Sequence, residues 1–120
     1  QKLGKKIVLP AIMKDQKKIV PSEVIDLEAD LTEGPYGIKQ PGKGETKSVD
    51  IKSIDLVIVP GIAFDKNKHR LGRGAGYYDR FLCDIPAGVP TVGLAFDFQM
   101  VDSLPHPEKH DIPVSRIIVN

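Results

Sequence analysis

The sequence predicts an α/β fold with a mainly parallel sheet. Short apolar runs rich in β-branched residues recur at Leu56–Val59, Thr91–Ala95 and Arg116–Val119. Continuous runs of this kind are typical of strands that are buried on both faces. Helical or irregular connections separate them, which favours an α/β arrangement over a purely antiparallel one. The chain has 120 residues, so we expect one domain over residues 1–120.

The first third of the chain gives weaker signals. We expect a strand over Lys5–Pro10 that stops at its proline, and a short, more exposed strand over Gln16–Val20. Val24–Leu31 fits either an extended segment or a turn of helix. Glu33–Thr46 contains four glycines and two prolines, which predicts a loop.

The middle of the chain follows the order strand, glycine-rich loop, helix. The strand Leu56–Val59 ends at Pro60, and a polar loop over Asp65–Arg70 leads to the glycines of Gly72–Gly76. Tyr77–Leu82 has helix-forming character. This order brings backbone N–H groups and a helix N-terminus to a point where an anion can dock.

Charged side chains around the glycines favour phosphate binding. Arg70 and Arg73 flank them, and arginine can hold phosphate oxygens in a bidentate fork. Asp79 follows, and a carboxylate near phosphates can hold Mg²⁺. The simpler alternative is a tight turn between two elements, for which glycine is also favoured.

Two familiar nucleotide-binding motifs are absent. No G-x-x-x-x-G-K-[ST] string occurs. A dinucleotide fingerprint, G-x-G-x-x-G, would require glycine at Tyr77 or at Asp79. The loop is therefore of another type.

Composition narrows the class of protein. The formal net charge is +1, so no basic field indicates a nucleic-acid partner. No apolar stretch reaches membrane-spanning length, and no nucleophile motif is present. One cysteine, Cys83, fits a reducing compartment, and we expect a cytoplasmic location with Cys83 on the apolar side of the helix. His69 lies in a charged loop and is expected to be exposed.

The segments Pro60–Asp65 and Arg70–Arg80 closely resemble the signature of the 5-formyltetrahydrofolate cyclo-ligase family. Weaker likenesses extend to Gly34–Pro41, Val92–Phe96 and His110–Val114. The resemblance covers nearly the whole chain, and the glycine loop with its tyrosines is its most specific part.

The resemblance implies a three-layer α/β/α fold with some antiparallel pairing. It implies the reaction of ATP with 5-formyltetrahydrofolate to give 5,10-methenyltetrahydrofolate, ADP and phosphate, with Mg²⁺ as cofactor. It places Arg73 and Tyr77 in catalysis and Asp79 and Asp111 on the metal; the alternative for Asp79 is an acid that stabilises the helix dipole. The implied ATP-binding residues are Arg70, Leu71, Gly72, Arg73, Gly74, Ala75, Gly76, Tyr77 and Tyr78. The implied substrate-binding residues are Arg73, Gly74, Ala75, Gly76 and Tyr77.

The chain departs from the family at its N-terminus. Family members carry further sequence there, including a basic helix for ATP and a segment for folate, and neither is found here. We interpret the chain as a fragment that is catalytically incomplete alone. A non-catalytic nucleotide- or phosphate-binding domain is the main alternative, and a sugar-phosphate isomerase-like enzyme is a third. We expect a monomer or weak oligomer with no nucleic-acid or membrane partner.

Overall fold

The computed structural model describes residues 3–13, 18–26, 28–34, 37–42, 47–72, 76–104 and 112–120. The chain divides into two compact units, Gln1–Ser53 and Ile54–Asn120. Two compact units can still fold together as one domain, so the single domain over residues 1–120 stays a prediction.

The first unit is built from antiparallel strands. A long hairpin joins β1 (Ile7–Met13) to β2 (Lys18–Val24), and β5 (Lys47–Ser48) pairs with the other edge of β2. A second pair joins β3 (Leu31–Glu33) to β4 (Lys39–Pro41). Ile19 and Val24 of β2 are both buried and, being five residues apart, lie on opposite faces of the strand, so each face of β2 is covered at one position.

Three predictions for this unit were wrong. The strand predicted over Gln16–Val20 does not end before Pro21 but continues through it to Val24. The first strand does not stop at Pro10 but continues to Met13, and Pro10 lies opposite Pro21 of β2. Proline cannot donate to a ladder, and pairing two prolines with each other confines the lost donors to one position. The predicted loop Glu33–Thr46 contains β4, whose register with β3 includes Thr32 opposite Gln40.

The second unit contains the predicted parallel strands. β6 (Val57–Val59), β9 (Thr91–Ala95) and β11 (Arg116–Val119) lie in the order β11-β9-β6, and both pairings are parallel. Ser115 fixes the start of β11, because its Oγ donates to the Thr91 carbonyl at 2.8 Å and accepts from the Thr91 N–H at 2.7 Å. The three apolar runs are therefore confirmed as strands, but the prediction that they are buried on both faces was wrong, because Ile58 and Leu94 are 59% and 52% exposed.

A short hairpin replaces the predicted polar loop. β7 (Ala63–Asp65) pairs antiparallel with β8 (Arg70–Leu71), and β10 (Met100–Val101) pairs parallel with β7. The loop prediction for Asp65–Arg70 was wrong at its ends, where both residues belong to strands. Lys68 in the turn has φ 67°, a left-handed conformation that allows the chain to reverse tightly.

The core of the second unit is centred on Phe64 of β7. Its side chain is fully buried, and its ring lies against Gly93 in the middle of β9. A Cβ at Gly93 would lie 2.6 Å from the Phe64 ring, so only glycine permits this approach. The aromatic ring thus attaches the β7–β8 hairpin to the parallel sheet.

One helix follows the glycine segment. α1 (Tyr77–Cys83) buries Phe81 and Leu82, as the predicted helix over Tyr77–Leu82 requires. Cys83 is exposed, so its predicted place on the apolar side was wrong. Among the described residues, no helix has the length and apolar character needed to cross a membrane.

The protein therefore has an α/β fold with some parallel pairing, but the predicted mainly parallel sheet is not found among the described strands, since four of their seven pairings are antiparallel. Parallel pairing dominates the second unit, and the first unit is antiparallel. A parallel sheet carries its ligand sites beyond the carboxyl ends of its strands. β6 ends at Val59, directly before the Pro60 carbonyl that takes part in the candidate site.

Candidate functional site

Arg70 is the centre of the candidate site. It is the first residue of β8, opposite Phe64, and its side chain is only 7% exposed. Its Nε donates to the Pro60 carbonyl at 2.9 Å, and its Nη1 lies 3.7 Å from Oδ1 of Asp79. Its guanidinium also lies over the Tyr78 ring, 5.2 Å from the centroid. One arginine therefore joins the end of β6, the hairpin and the first turn of α1.

Tyr78 has an unusual environment for a phenol. Burial raises its pKa above the ordinary value near 10.0, and the nearby Arg70 charge opposes that rise. A phenol is protonated at neutral pH even at its ordinary pKa, so the Tyr78 hydroxyl can donate a hydrogen bond.

The two tyrosines point in different directions, as their adjacent positions predict. Tyr77 lies beside Arg80, whose guanidinium carbon is 5.5 Å from the Tyr77 ring centroid. Tyr78 lies beside Arg70. Gly76, just before the helix, has φ 73°, a conformation that side chains other than glycine rarely adopt.

The hairpin turn is closed by a buried carboxylate. Asp65 is 3% exposed; its Oδ1 accepts the N–H groups of Asn67 at 2.9 Å and His69 at 3.0 Å. Its Oδ2 accepts the N–H of Leu104 at 3.2 Å and lies 3.6 Å from Nδ1 of His69. Burial by itself would raise the pKa of Asp65, but these three N–H groups and His69 outweigh it and lower the pKa. The side chain of His69 is 29% exposed, so His69 is half-buried rather than exposed as predicted.

Gln99 fixes the segment that carries the Pro60 carbonyl. Its Nε2 donates to the carbonyls of Gly61 at 3.3 Å and Ile62 at 3.1 Å. Its Oε1 accepts the Phe96 N–H at 2.8 Å. The backbone around Pro60 is therefore held from the connection after β9, and so is the acceptor of Arg70.

Asp79 offers the oxygen chemistry that Mg²⁺ prefers. Its side chain is 18% exposed, so the carboxylate is partly open to solvent as well as near Arg70. Mg²⁺ commonly takes one or two carboxylates and completes its shell with phosphates and water. No group of three His, Cys, Asp or Glu suited to a metal occurs in the described part of the chain. Among the described residues, Asp79 is therefore a carboxylate that could contribute to a Mg²⁺ site completed by phosphates and water.

The structure brings together only part of the predicted site. Arg70, Tyr78 and Asp79 form one cluster, while Leu71 is 44% exposed and Tyr77 faces Arg80. Gly72 and Gly76 border the loop. The predicted residues that fall outside the described ranges are Arg73, Gly74, Ala75 and Asp111.

Three contributors to this cluster were not singled out in the sequence. Asp65 closes the turn before Arg70, the Pro60 carbonyl accepts from Arg70, and Gln99 holds the segment around Pro60. An aspartate at the end of an apolar run with an asparagine two positions later, as in Asp65-Lys66-Asn67, is a turn signal that could have identified Asp65. No sequence signal identifies a backbone carbonyl or a glutamine 38 positions away as a partner.

Comparison with known proteins identifies the relatives of this chain. The model of the 5-formyltetrahydrofolate cyclo-ligase family matches residues 1–120. The 5-formyltetrahydrofolate cyclo-ligase of Mus musculus is 36% identical over 110 residues, covering 87% of this chain and 52% of the mouse protein. The enzyme of the same name from Saccharomyces cerevisiae is 38% identical over 92 residues, covering 72% of this chain and 42% of the yeast protein.

A solved structure shares the fold. A 5,10-methenyltetrahydrofolate synthetase from Mycoplasma pneumoniae superposes with a TM-score of 0.70 at 27% identity, over 94% of this chain and 55% of that one. The chain thus spans about half the length of the relatives it matches. A family match over every residue, together with these relatives, shows that the chain belongs to the 5-formyltetrahydrofolate cyclo-ligase family.

Proposed function

We propose that the protein takes part in the ATP-dependent conversion of 5-formyltetrahydrofolate to 5,10-methenyltetrahydrofolate, with release of ADP and phosphate. Family membership supports the reaction, and the names of the relatives specify its folate substrate. The observation that carries the proposal is the cluster of Arg70, Tyr78 and Asp79. It combines a held cation, a protonated phenol and a carboxylate beside the family's glycine segment.

This reaction requires the protein to orient ATP and the folate and to neutralise the charge on the phosphates. A formamide oxygen is a poor leaving group, and transfer of the ATP γ-phosphoryl group to that oxygen makes it a good one. The folate N10 then attacks the formyl carbon and loses its proton to solvent, the ring closes, and the C–O bond breaks as phosphate departs with the bonding electrons. No protein nucleophile is needed for this sequence, because orientation and electrostatic stabilisation supply the rate.

Arg70 suits the role of a preorganised phosphate contact. Its Nε is committed to the Pro60 carbonyl, which fixes the plane of the guanidinium. A guanidinium held in this way loses less side-chain entropy when it binds an anion than an unrestrained one does. The remaining ATP-binding residues of the proposal are Leu71, Gly72, Arg73, Gly74, Ala75, Gly76, Tyr77 and Tyr78.

The folate side of the proposal uses the same loop. Arg73 and Tyr77 are the proposed catalytic residues, and Gly74, Ala75 and Gly76 bring backbone close to the substrate. Tyr77 and Tyr78 point in different directions, which supports a division of the two rings between folate and nucleotide.

Mg²⁺ is the proposed cofactor, held by Asp79 and Asp111. When bound it neutralises charge on the ATP phosphates. Asp79 lies 3.7 Å from Arg70, so the carboxylate and the guanidinium can approach the same phosphates. The three-layer arrangement, a cytoplasmic location and a monomeric or weakly oligomeric state complete the proposal.

The test measures nucleotide binding and turnover separately. We expect calorimetry to detect ATP binding in the presence of Mg²⁺, and the absorbance of methenyltetrahydrofolate to rise when 5-formyltetrahydrofolate is added. Asp79→Asn should weaken Mg²⁺-dependent ATP binding at least about tenfold, the loss expected for a charged contact. Asp84→Asn, an exposed carboxylate at the other end of α1, is the matched control.

The outcomes separate the candidates. ATP binding without turnover, in this chain and in a longer family member, would favour the non-catalytic nucleotide-binding domain. Turnover only in the longer protein would support the view that this chain is catalytically incomplete alone. Equal ATP affinity of the wild type and Asp79→Asn would remove Asp79 from the site.

A further inference from the structure

The turn before Arg70 is controlled by one side chain. Asp65 lies at the end of β7 and Arg70 at the start of β8, so the residues between them set where β8 begins. Oδ1 of Asp65 accepts two N–H groups of this turn, and the Asp65 N–H donates to the His69 carbonyl at 3.1 Å. Both the side chain and the backbone of Asp65 therefore close the turn one residue before Arg70.

The same carboxylate reaches beyond the hairpin. Its Oδ2 accepts the N–H of Leu104, 39 positions later in the chain. The carbonyl of Lys68, at the tip of the turn, accepts the N–H of Val114 at 2.9 Å. Leu104 and Val114 are both buried, so these two bonds tie the turn to the core of the second unit. The turn cannot shift without breaking them.

Arg70 depends on this placement for its own contacts. Its side chain meets groups from two other elements, the Pro60 carbonyl after β6 and Tyr78 and Asp79 on α1. A displacement of β8 by an ångström would lengthen the 2.9 Å bond to Pro60 beyond hydrogen-bonding distance. Small displacements of positioning groups can reduce rates by orders of magnitude.

We propose that Asp65 is a positioning residue that sets the location of the Arg70 guanidinium through the hairpin turn, and so determines the affinity for ATP. Asp65 itself contacts neither substrate in this view. The effect on ATP rests on the proposed function, whereas the effect on the Arg70 side chain does not.

Asp65→Asn is the most selective variant. The amide keeps an oxygen for the N–H groups of Asn67 and His69, and asparagine closes such turns well. It places an NH₂ group against the N–H of Leu104, so two donors face each other where an acceptor was. Asp102→Asn is the matched control, because Asp102 pairs with Lys66 of the same turn at 3.0 Å but is 90% exposed.

The first measurement follows Arg70 itself. In ¹⁵N-labelled protein, we expect hydrogen exchange at the Arg70 Nε–H to be at least about tenfold faster in Asp65→Asn than in the wild type, with Asp102→Asn unchanged. Equal exchange rates in a folded Asp65→Asn protein would overturn the positioning role whatever the protein binds.

The second measurement is a double-mutant cycle on ATP affinity. Asp65→Asn should weaken ATP binding about fivefold to tenfold in the wild-type background. In the Arg70→Lys background the loss should be less than twofold, because the guanidinium that Asp65 positions is no longer present. The same loss in both backgrounds would overturn action through Arg70. Arg70→Lys with unchanged ATP affinity would instead overturn the proposed nucleotide site, while the exchange measurement would still decide the positioning role.

Discussion

Two hairpins of this protein are held in opposite ways. β1–β2 has seven residue pairs in register, from Ile7 opposite Val24 to Met13 opposite Lys18. β7–β8 has only two, Ala63 with Leu71 and Phe64 with Arg70. The long hairpin is stabilised by its ladder, whereas the short one depends on contacts with the rest of its unit, among them the pairing of β7 with β10 and the packing of individual side chains.

Those attachments are few and specific. Phe64 packs on Gly93, and Asp65 binds the N–H groups of the turn and of Leu104. A hairpin held by many equivalent bonds tolerates the loss of one better than a hairpin with two residue pairs, whose position also depends on individual contacts such as these. The difference also follows function, because β8 begins with Arg70 and the candidate site needs β8 in one place.

The largest effect should come from Phe64→Ala. Removing a fully buried aromatic ring from a core typically costs about 3–5 kcal/mol of unfolding free energy. Urea unfolding measures the loss, and Phe98→Ala, at a ring that is 82% exposed, should cost far less. Similar losses in the two variants would show that Phe64 is not the anchor of the short hairpin.

Gly93→Ala approaches the same contact from the other side. The added methyl group would lie 2.6 Å from the Phe64 ring, and overpacking of this kind costs about 1–3 kcal/mol. The combined variant Gly93→Ala with Phe64→Leu should recover part of the loss, because the smaller side chain makes room. A double variant that unfolds as if the two losses simply added would argue against direct contact between the positions.

The pH dependence of stability should differ between two turns that are closed by a carboxylate, one by Asp65 and one by Asp26. The pKa of Asp65 is lowered from its ordinary value near 3.8, so the unfolded chain binds its proton first as the pH falls. Its contribution to stability is complete above pH values near the unfolded pKa and is lost as the pH falls through the lower folded pKa. Urea midpoints measured from pH 7 to pH 3 should therefore fall more steeply in the wild type than in Asp65→Asn.

The comparison carboxylate is Asp26 in the first unit. The N–H groups of Ala29 and Glu28 lower its pKa too, but Asp26 is exposed. Water can replace these bonds when Asp26 is protonated, so Asp26→Asn should change the pH dependence less than Asp65→Asn does. The reverse ranking would mean that burial does not strengthen the Asp65 turn.

The smallest effect should come from the ion pair on the surface of the same turn. Lys66 and Asp102 are 3.0 Å apart, but their side chains are 74% and 90% exposed. Exposed pairs contribute about 0–1 kcal/mol. Lys66→Met should therefore leave the urea midpoint nearly unchanged at physiological salt. A loss comparable to that of Gly93→Ala would show that the turn is held from its surface as well.

The sequence predicts those strands that are marked by an apolar run within the strand itself. Val57–Val59, Thr91–Ala95 and Arg116–Val119 are continuous apolar runs, and such runs predict strands without knowledge of their partners. The predicted loop Asp65–Arg70 takes in the end of β7 and the start of β8, because charged residues there give no strand signal and the hairpin is stabilised by residues distant in sequence. Pairing of Pro10 with Pro21 was likewise invisible, since each proline alone indicates the end of a strand.

The candidate site divides in the same way. The glycine segment and its arginine, tyrosine and aspartate are contiguous, and a family resemblance identified them. Asp65, the Pro60 carbonyl and Gln99 act by holding Arg70 or its acceptor, and they are defined by distances between elements. Such contacts depend on the register of the hairpin against the sheet, which no local pattern specifies.

The separation of paired strands along the chain also bears on the order of folding. Strands β1 and β2 join residues 5 to 17 positions apart, whereas β6 meets β9 across 34 positions, from Val57 to Thr91. Closing a long loop costs more chain entropy before any contact stabilises it. We expect amide protons of β1 and β2 to be protected before those of β9 in pulse-labelled hydrogen exchange; simultaneous protection would refute that order. During synthesis, the β1–β2 hairpin would then form while the segment around Arg70 is still without β9 and β10, which follow it in the chain.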